Sequence, residues 1–278
     1  MNTTEFIKAA LNEDIGNGDH TSLACIPAEA NQQARLLVKD QGIAAGVELA
    51  RDIFHFYDKN LVFEELIHDG QPIKQGDIIF TVHGSARSIL SCERLALNCM
   101  QRMSGIATLT RQMSDLLKGT HAVLLDTRKT TPLFRQIEKW AVKIAGGENH
   151  RFGLYDMIMI KDNHIDFAGG ISTAVERTKT YLQEKKLNLK IEVEARNINE
   201  VNQILNCTGV HRILLDNFTP EEMKKAVDLI NGKMQTEASG GITLSTIREY
   251  ALTGVNYISC GALTHSAKSL DLSLKAYA

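Results

Sequence analysis

The spacing of apolar residues changes near residue 105, and this change divides the chain into two parts. In the first part, apolar runs of strand length are separated by turn sequences rich in Gly and Asp, and they lie at 34–38, 61–67 and 78–82. A helical spacing covers about 47–57. We therefore predict a first domain of mixed helices and strands at 1–105.

A long helical stretch spans the boundary between the two parts. Apolar residues recur at helical spacing from Ala86 to Leu117. Gly105 lies inside this stretch and marks either a break in the helix or a close contact with another segment. Because the stretch crosses the change in pattern, we expect it to connect the two domains.

In the second part, apolar runs typical of buried strands alternate with amphipathic helices. Strands are predicted to start near 122, 156, 191, 212, 236 and 257, with helices at 132–144, 171–185, 198–205, 220–230 and 243–252 and a last helix after the sixth strand. Such an alternation forms a parallel sheet, and six βα units in succession favour a barrel over an open doubly wound sheet. The dinucleotide pattern G-x-G-x-x-G and the phosphate-loop pattern G-x-x-x-x-G-K followed by Ser or Thr are absent from the sequence.

Composition excludes several classes of function. The 278 residues include 31 Lys plus Arg and 33 Asp plus Glu, so no excess positive charge attracts nucleic acid or an anionic membrane. The apolar runs stay well short of the roughly 18 residues that span a bilayer, and the N-terminal sequence lacks a signal-peptide pattern. The five Cys have no metal-site spacing and are expected to be reduced thiols, mostly buried. We expect a cytoplasmic protein without nucleic-acid or membrane partners.

Cationic residues are concentrated after the first two strands of the second part. They lie in two polar segments, DTRKTTP at 126–132 and NHR with KDNH at 149–164. Clustered positive charges repel one another, and a folded protein keeps them mainly where they hold an anion. We therefore expect an anion to be bound by the cations of these segments, Arg128, His150, Arg151 and Lys161.

Gly-rich loops and carboxylates follow the remaining strands. The loops after the last two strands read SGGIT at 239–243 and CGALTHS at 260–266, and in α/β barrels such loops commonly bind phosphate through backbone N–H groups. Glu194 and Asp216 lie on neighbouring strands and are expected to hold a hard divalent cation or sugar hydroxyls. Glu192 shares a strand face with Glu194, and the pattern alone does not choose between them.

Eight blocks of the sequence, in this order and spacing, resemble the quinolinate phosphoribosyltransferase family. They are EDIGNGDHT (13–21), ERLALNCMQRMSGIAT (93–108), DTRKTTP (126–132), GGENHRFGLYDMIMIKDNH (146–164), EVEA (192–195), LLDN (214–217), EASGGI (237–242) and GALTHS (261–266). The resemblance covers nearly the whole chain. It implies an N-terminal α/β sandwich at 1–105, an incomplete parallel α/β barrel of six or seven strands at 106–265, and a last helix at 266–278 that packs back on the first domain.

The resemblance implies a decarboxylating phosphoribosyl transfer in de novo NAD biosynthesis. The ring nitrogen of quinolinate, a pyridine dicarboxylate, would attack C1 of phosphoribosyl pyrophosphate as pyrophosphate leaves, through a transition state of oxocarbenium character. The resulting pyridinium would stabilise negative charge on the adjacent carbon, so that CO2 leaves and nicotinate mononucleotide forms. Orientation and electrostatic stabilisation by Mg²⁺ and cationic side chains are the expected sources of catalysis.

The family match also assigns roles to residues of this chain. The quinolinate carboxylates are assigned to Arg128, His150, Arg151 and Lys161, with Arg94 supplied by the neighbouring subunit of a homodimer. Phosphoribosyl pyrophosphate is assigned to Thr127, Lys129 and His265, its ribose hydroxyls or Mg²⁺ to Glu194 and Asp216, and its 5-phosphate to Ser239, Gly240, Gly241, Ser259, Cys260 and Gly261. Within this set, the residues expected to be catalytic are Lys129, Lys161, Glu194 and Asp216.

Other functions remain open from sequence. A nicotinate phosphoribosyltransferase would bind one carboxylate instead of two, a molybdenum-transport paralogue is expected to lack the lysine that is present here as Lys161, and a barrel aldolase would use Lys161 to form a Schiff base. Arg135 and Lys139, in a helix beside Glu138, are as readily explained as surface charges and are not assigned. The family's Gly after DTRKTTP is replaced by Leu133, which leaves the geometry of this loop open.

Overall fold

The computed structural model describes residues 2–277. Its helices are α1 (Thr3–Ile15), α2 (His20–Cys25), α3 (Val47–Tyr57), α4 (Ala86–Leu116), α5 (Arg135–Ile144), α6 (Asp162–Ala168), α7 (Ile171–Lys185), α8 (Ile198–Leu205), α9 (Pro220–Ile230), α10 (Ile247–Leu252) and α11 (Ala262–His265). Its strands are β1 (Asn31–Val38), β2 (Gly42–Ile43), β3 (Val62–Glu65), β4 (Pro72–Ile73), β5 (Ile78–Ser85), β6 (Val123–Leu125), β7 (Ile158–Ile160), β8 (Ile191–Ala195), β9 (Arg212–Asp216), β10 (Gln235–Ser239), β11 (Tyr257–Ser259) and β12 (Leu272–Tyr277). Within this range, every helix is either too short or too polar to pass through a bilayer.

The chain divides into two compact units. The first contains the chain up to Arg111, residues 131–146 and the chain from Ser266 onward, and the second contains 112–130 and 147–265. The sequence-based boundary at 265/266 coincides with a division of the structure after His265. The sequence-based boundary at 105/106 lies six residues before the division after Arg111. The division after Arg111 falls inside α4, which runs without interruption.

The first unit is built on a four-stranded antiparallel sheet with the order β12-β1-β5-β3. The amphipathic helix α3 buries one face, as its apolar spacing predicts. Phe54 of this helix packs with Phe63 and Phe80 of the sheet, with ring centroids 4.4–6.0 Å apart. These rings form the centre of the core of this unit.

The end of the chain differs from the sequence-based prediction. The segment 266–278, predicted as a helix, contains strand β12, which pairs antiparallel with β1; Ala278 lies outside the described residues. Leu270, Leu272 and Leu274 alternate with polar residues, which is the two-residue period of a half-buried strand. The segment joins the first unit as an edge strand of its sheet, and the prediction of a helix is wrong.

Gly105 marks a close contact within the first unit. A Cβ atom at this position would lie 1.9 Å from the carbonyl oxygen of Lys268. Helix α4 therefore continues through Gly105, because the absence of a side chain lets the segment before β12 pass directly against it.

Helix α5 also belongs to the first unit, although its position after the first barrel strand predicts a barrel helix. Glu138 of α5 is fully buried and accepts hydrogen bonds from Arg102 Nε and Nη2 at 2.9 and 2.8 Å. Thr131 donates to the same carboxylate through its backbone N–H and its hydroxyl, both at 3.0 Å. Lys139 is only 1% exposed, so its interpretation as a surface charge is wrong.

The second unit contains a six-stranded parallel sheet with the order β7-β8-β9-β10-β11-β6. Five strands follow chain order, and the first strand, β6, pairs with the last, β11. This pairing curls the sheet as in an α/β barrel, whereas a doubly wound sheet reverses its order at a switch point. Strands β6 and β7 end the sheet, and Glu148 forms an isolated parallel bridge with Leu125 at the β6 edge. The predicted incomplete barrel is confirmed, with six strands in the described residues.

Candidate active site

A cleft of about 720 Å³ lies within the second unit, lined by residues that follow the barrel strands. It brings together fifteen of the residues predicted from sequence: Thr127, Arg128, Lys129, His150, Arg151, Lys161, Glu194, Asp216, Ser239, Gly240, Gly241, Ser259, Cys260, Gly261 and His265. The carboxyl ends of the strands are where α/β barrels place their chemistry. The cleft is therefore the candidate active site.

The loop after β6 is held in place by its backbone. The buried Asp126 accepts the His150 N–H at 2.9 Å through Oδ1, which ties this loop to the segment before β7. Thr127 Oγ1 accepts the Lys129 N–H at 3.0 Å, and Thr264 Oγ1 donates to the Lys129 carbonyl at 2.8 Å. Both backbone polar groups of Lys129 are thus bonded, which fixes the point from which its side chain enters the cleft.

Two guanidinium groups lie close to each other on one side of the cleft. Partial burial lowers the pKa of Arg151, and the positive charge of Arg128 lowers it further. Arg151 Nη1 donates to the Met157 carbonyl at 3.2 Å, which directs this side chain along the segment before β7. Two guanidinium groups that repel each other are stabilised when an anion binds between them.

Lys161 and Glu194 form an ion pair at the ends of β7 and β8. Lys161 Nζ lies 2.8 Å from Glu194 Oε2, and Glu194 is 5% exposed. Glu194 Oε1 also accepts the Asp162 N–H at 3.5 Å, at the first residue of α6. The pair holds both side chains at the edge of the cleft, and the half-exposed lysine keeps further N–H groups for a ligand.

Asp216 and the loop after β10 form another part of the wall. Asp216 accepts the Ser239 hydroxyl at 2.5 Å and the Asn217 side-chain amide at 2.7 Å. Gly240 has a φ of +97°, and a Cβ atom there would lie 2.1 Å from Asn217 Oδ1. A glycine is required at 240, because any side chain would collide with Asn217.

The loop after β11 places two predicted ligand-binding side chains beside each other. A Cβ atom on Gly261 would come within 2.9 Å of Lys129 Cδ and 3.1 Å of the His265 ring, so the glycine leaves room for both. Cys260 donates its N–H to the Leu125 carbonyl at 3.0 Å, and its Sγ lies 3.4 Å from the Ile242 carbonyl. Burial raises the pKa of the Cys260 thiol, which stays neutral. Both polar groups of Cys260 are thus engaged inside the barrel.

Sequence analysis missed two charged residues of the barrel interior, Arg212 and Glu237. Glu237 Oε2 lies 2.6 Å from Arg212 Nη1 and 3.2 Å from His150 Nε2. Glu192 Oε2 lies 3.2 Å from the same histidine nitrogen. Together these residues form a buried charge cluster at the floor of the cleft. We call it the floor cluster, and it consists of His150, Glu192, Arg212 and Glu237.

The period of the strands contains the signal that identifies both missed residues. Side chains two residues apart on a strand point to the same face. Glu237 precedes the predicted site residue Ser239 by two residues, and Arg212 precedes Asp216 by four. The same period places Glu192 and Glu194 on one face, where Glu194 reaches Lys161 and Glu192 lies deeper.

The floor cluster holds a proton at neutral pH. Burial lowers the pKa of His150, but hydrogen bonds to Glu192 and Glu237 outweigh this effect and raise the pKa to about 9. Burial and the charge of Glu237 raise the pKa of Glu192 to about 7. If the His150 ring were doubly protonated, both of its nitrogens would carry hydrogen. Nδ1 instead accepts the Arg151 N–H at 2.7 Å, and an accepting nitrogen carries no hydrogen. The geometry therefore places the cluster's protons between His150 Nε2 and the two carboxylates.

The donor set for a divalent cation consists of Glu194 and Asp216. Both carboxylates line the cleft and offer the oxygen ligands that Mg²⁺ prefers. Each is oriented by protein donors, Glu194 by Lys161 and Asp216 by Ser239, and each keeps lone pairs for a metal or a hydroxyl group. The two carboxylates therefore fit a hard divalent cation such as Mg²⁺.

Arg94 is the predicted site residue that does not line this cleft. It is an exposed residue of α4 in the first unit. There it borders a separate groove of about 660 Å³ with two further cations, Lys39 and Lys275. The contribution of Arg94 from a neighbouring subunit stays a prediction.

Comparison with known proteins relates the whole chain to one family. Residues 19–104 match the family model of the quinolinate phosphoribosyl transferase N-terminal domain, and residues 106–275 match that of the C-terminal domain. A decarboxylating quinolinate phosphoribosyltransferase 2b, mitochondrial, from Nicotiana tabacum is 48% identical over 98% of this chain and 81% of its own length. A carboxylating nicotinate-nucleotide pyrophosphorylase, chloroplastic, from Arabidopsis thaliana is 48% identical over 97% of this chain and 81% of its own length.

Solved structures give the same result. The crystal structure of nicotinate-nucleotide pyrophosphorylase from Ehrlichia chaffeensis superposes with a TM-score of 0.93 at 35% sequence identity, and the match covers 100% of this chain and 99% of that one. The sequence blocks and the incomplete barrel thus agree with both comparisons. The chain belongs to the quinolinate phosphoribosyltransferase family.

Proposed function

We propose that this enzyme converts quinolinate and phosphoribosyl pyrophosphate into nicotinate mononucleotide, pyrophosphate and CO2, a step of NAD biosynthesis. The observation that carries the proposal is the cleft itself, which is lined by cationic side chains and by two Gly-containing loops. Both substrates are polyanions, so each needs a positively charged or N–H-rich surface. Family membership supplies the type of reaction.

The guanidinium pair and Lys161 are the proposed binding groups for the two quinolinate carboxylates. Arg128 and Arg151 lie close enough for one to lower the pKa of the other. A planar guanidinium pairs with two carboxylate oxygens at once, so two such groups match a diacid. His150 lies beneath them, only 8% exposed, and supports this surface from the floor of the cleft.

Phosphoribosyl pyrophosphate is proposed to bind along the loops after β10 and β11. Gly240, Gly241 and Gly261 allow the backbone to approach a phosphate closely, with Ser239 and Ser259 beside them. Lys129, Thr127 and His265 would bind the pyrophosphate side of the substrate. Cys260 lines the same wall, although its N–H and thiol are already bonded inside the barrel.

Magnesium is proposed to enter with phosphoribosyl pyrophosphate as its chelate. Glu194 and Asp216 would hold this ion or the ribose hydroxyls, since both present carboxylate oxygens to the cleft. The ion would neutralise charge on the departing pyrophosphate.

The chemistry requires two bond exchanges. The quinolinate nitrogen forms a bond to ribose C1 while the bond from C1 to the pyrophosphate oxygen breaks, and Lys129 stabilises the charge on the leaving group. The bond from ring carbon 2 to its carboxylate then breaks, the electron pair stays on the ring beside the positive nitrogen, and this carbon takes up a proton. Arg128, Arg151 and Lys161 orient the diacid so that its nitrogen faces C1.

The residues of the same cleft argue against the alternative functions. A Schiff-base aldolase needs a lysine that is free to attack a carbonyl group, whereas Lys161 Nζ is paired with Glu194 Oε2 at 2.8 Å. A molybdenum-transport paralogue is expected to lack this lysine. A nicotinate phosphoribosyltransferase has one carboxylate to bind, while the pair Arg128 and Arg151 with Lys161 provides cations for two.

We further propose a cytosolic homodimer in which Arg94 of each subunit reaches the active site of its partner. Arg94 is exposed and is not among the residues that line the cleft, which supports this arrangement. The plant relatives are named as mitochondrial or chloroplastic proteins. Cell fractionation tests the compartment, and sedimentation tests the dimer.

A direct assay tests the proposed function. The purified protein is incubated with phosphoribosyl pyrophosphate, Mg²⁺ and either quinolinate or nicotinate, and the products are separated by chromatography. We expect nicotinate mononucleotide from quinolinate and no product from nicotinate. Product from nicotinate at a similar rate would make the enzyme a nicotinate phosphoribosyltransferase.

A further inference from the structure

We propose that Glu237, anchored by Arg212, is a positioning residue for quinolinate: through His150 it fixes the segment that carries Arg151. The inference rests on the proposed function and deepens it, because it adds two residues beneath the assigned binding surface. Glu237 lines the floor of the cleft, whereas Arg212 is not among the lining residues, and neither is assigned a direct contact with the diacid. They act through a chain of contacts across three strands and one loop.

The lower half of this chain is the pair Arg212 and Glu237. Glu237 is fully buried, and its Oε2 lies 2.6 Å from Arg212 Nη1. The guanidinium carbon of Arg212 lies 3.9 Å from the centroid of the Tyr257 ring, which holds Arg212 by a cation–π contact. A charged hydrogen bond this short inside the barrel leaves the glutamate a single orientation.

The upper half runs from Glu237 through His150 to Arg151. Glu237 and Glu192 both lie 3.2 Å from His150 Nε2, so the two carboxylates set the direction of the ring. The opposite nitrogen, Nδ1, accepts the Arg151 N–H at 2.7 Å. The His150 ring is therefore held between the carboxylates of Glu192 and Glu237 on one side and the backbone N–H of Arg151 on the other. Its orientation fixes the backbone from which the Arg151 side chain extends.

The residue types of the floor cluster also suit a metal ion, since ligand atoms of His150, Glu192 and Glu237 lie within 4.8 Å of one another. Arg212 makes this interpretation unfavourable. Its guanidinium contacts the same Glu237 oxygen that faces His150, and it already supplies the positive charge that a cation would bring. The contacts describe a buried charged support in which Arg212 and His150 both face the Glu237 carboxylate.

Steady-state kinetics of the variant Glu237→Gln test the inference. Glutamine keeps the size of the side chain but removes the charge that holds Arg212 and His150. We expect KM for quinolinate to rise about tenfold, as the loss of one charged hydrogen bond predicts, with KM for phosphoribosyl pyrophosphate within about twofold of the parent enzyme. The variant Glu237→Asp, which retains the charge, is expected to recover part of the affinity for quinolinate.

Glu200→Gln is the matched control. Glu200 is a buried glutamate of α8 that accepts hydrogen bonds from Arg196, and it is not among the residues that line the cleft. Its variant should keep both KM values of the parent. The melting temperature of each variant is measured alongside its kinetics.

The outcomes separate the inference from the proposed function. An inactive parent enzyme would overturn the proposed function. An active parent with unchanged KM for quinolinate in Glu237→Gln would overturn the inference alone. Two further outcomes would assign Glu237 a general structural role and would also overturn the inference. One is an equal increase of both KM values in Glu237→Gln. The other is a Glu237→Asp variant that recovers the melting temperature but not the affinity for quinolinate.

Discussion

At the scale of single residues, the backbone at Gly240 offers a sharp test of the phosphate-binding wall. We predict that Gly240→Ala raises KM for phosphoribosyl pyrophosphate by at least about tenfold. The new Cβ would meet Asn217 Oδ1 at 2.1 Å, and the φ of +97° strains any L-residue by roughly 1–2 kcal/mol. Gly232→Ala is the control, because Gly232 has a φ of +73° with no atom near its Cβ position. A KM that changes no more in Gly240→Ala than in the control would contradict the prediction.

Leu133 is a non-glycine residue in a left-handed backbone conformation that glycine adopts more easily. It has a φ of +62° and is 81% exposed. We predict that Leu133→Gly raises the free energy of unfolding by about 0.5–1 kcal/mol, since relief of left-handed strain exceeds the entropy cost of glycine. Urea unfolding measures this change. A decrease in stability would show that the exposed leucine makes contacts worth more than the strain.

The cationic residues of the cleft were identifiable from sequence, and the support beneath them was not. Arg128 and Lys161 come within three residues of the ends of apolar strand runs, where a parallel barrel keeps its ligand-binding groups, and Arg151 lies in the polar segment NHR before the next strand. Glu237 and Arg212 lie inside strands, where a lone charge is easily taken for a solvent-facing residue. Only the strand period, combined with the barrel, shows that they point inward.

At the scale of secondary-structure elements, the contact between α4 and α5 depends on one buried ion pair. We predict that Glu138→Ala lowers the free energy of unfolding by about 3–5 kcal/mol, because it leaves Arg102 and Thr131 without their shared acceptor. Chemical denaturation of parent and variant measures this loss. The large effect follows from the complete burial of Glu138.

Glu176→Ala provides the matched control for this prediction. Glu176 is paired with Lys179 at 2.8 Å on the exposed surface of α7, with 60% of its side chain accessible. Its removal should cost less than about 1 kcal/mol. Similar losses in both variants would show that the Glu138 network does not hold α5 in the first unit.

The elements of the second unit were predictable, whereas those at the chain ends were not. Four helices and the six strands of the barrel follow the predicted order, because each buried strand and each amphipathic helix has its own period. Helix α1 was missed although Asn2 and Glu5 form a capping box at its start. Strand β12 was predicted as a helix, since its pairing with β1 joins segments from opposite ends of the sequence.

At the scale of the whole molecule, the proposed shared site predicts complementation between inactive variants. Arg94→Ala and Arg151→Ala should each lose most activity when purified alone. After mixing and exchange of subunits, one site of each mixed dimer contains both parent residues, so activity should return to about one quarter of the parent value. The expected recovery follows because half of the dimers are mixed and half of their sites are intact. A mixture that stays inactive after verified exchange would contradict a site built from two subunits.

The most direct test of the central claim is the fate of the quinolinate carboxylate attached to the carbon beside the ring nitrogen. Quinolinate labelled at this carboxylate is incubated with the enzyme, Mg²⁺ and phosphoribosyl pyrophosphate, and labelled CO2 and pyrophosphate are counted together. We predict one CO2 for each pyrophosphate and no CO2 when phosphoribosyl pyrophosphate is omitted, because only the pyridinium formed by transfer stabilises the charge left on the ring. Pyrophosphate release without CO2, or CO2 release without phosphoribosyl pyrophosphate, would contradict it.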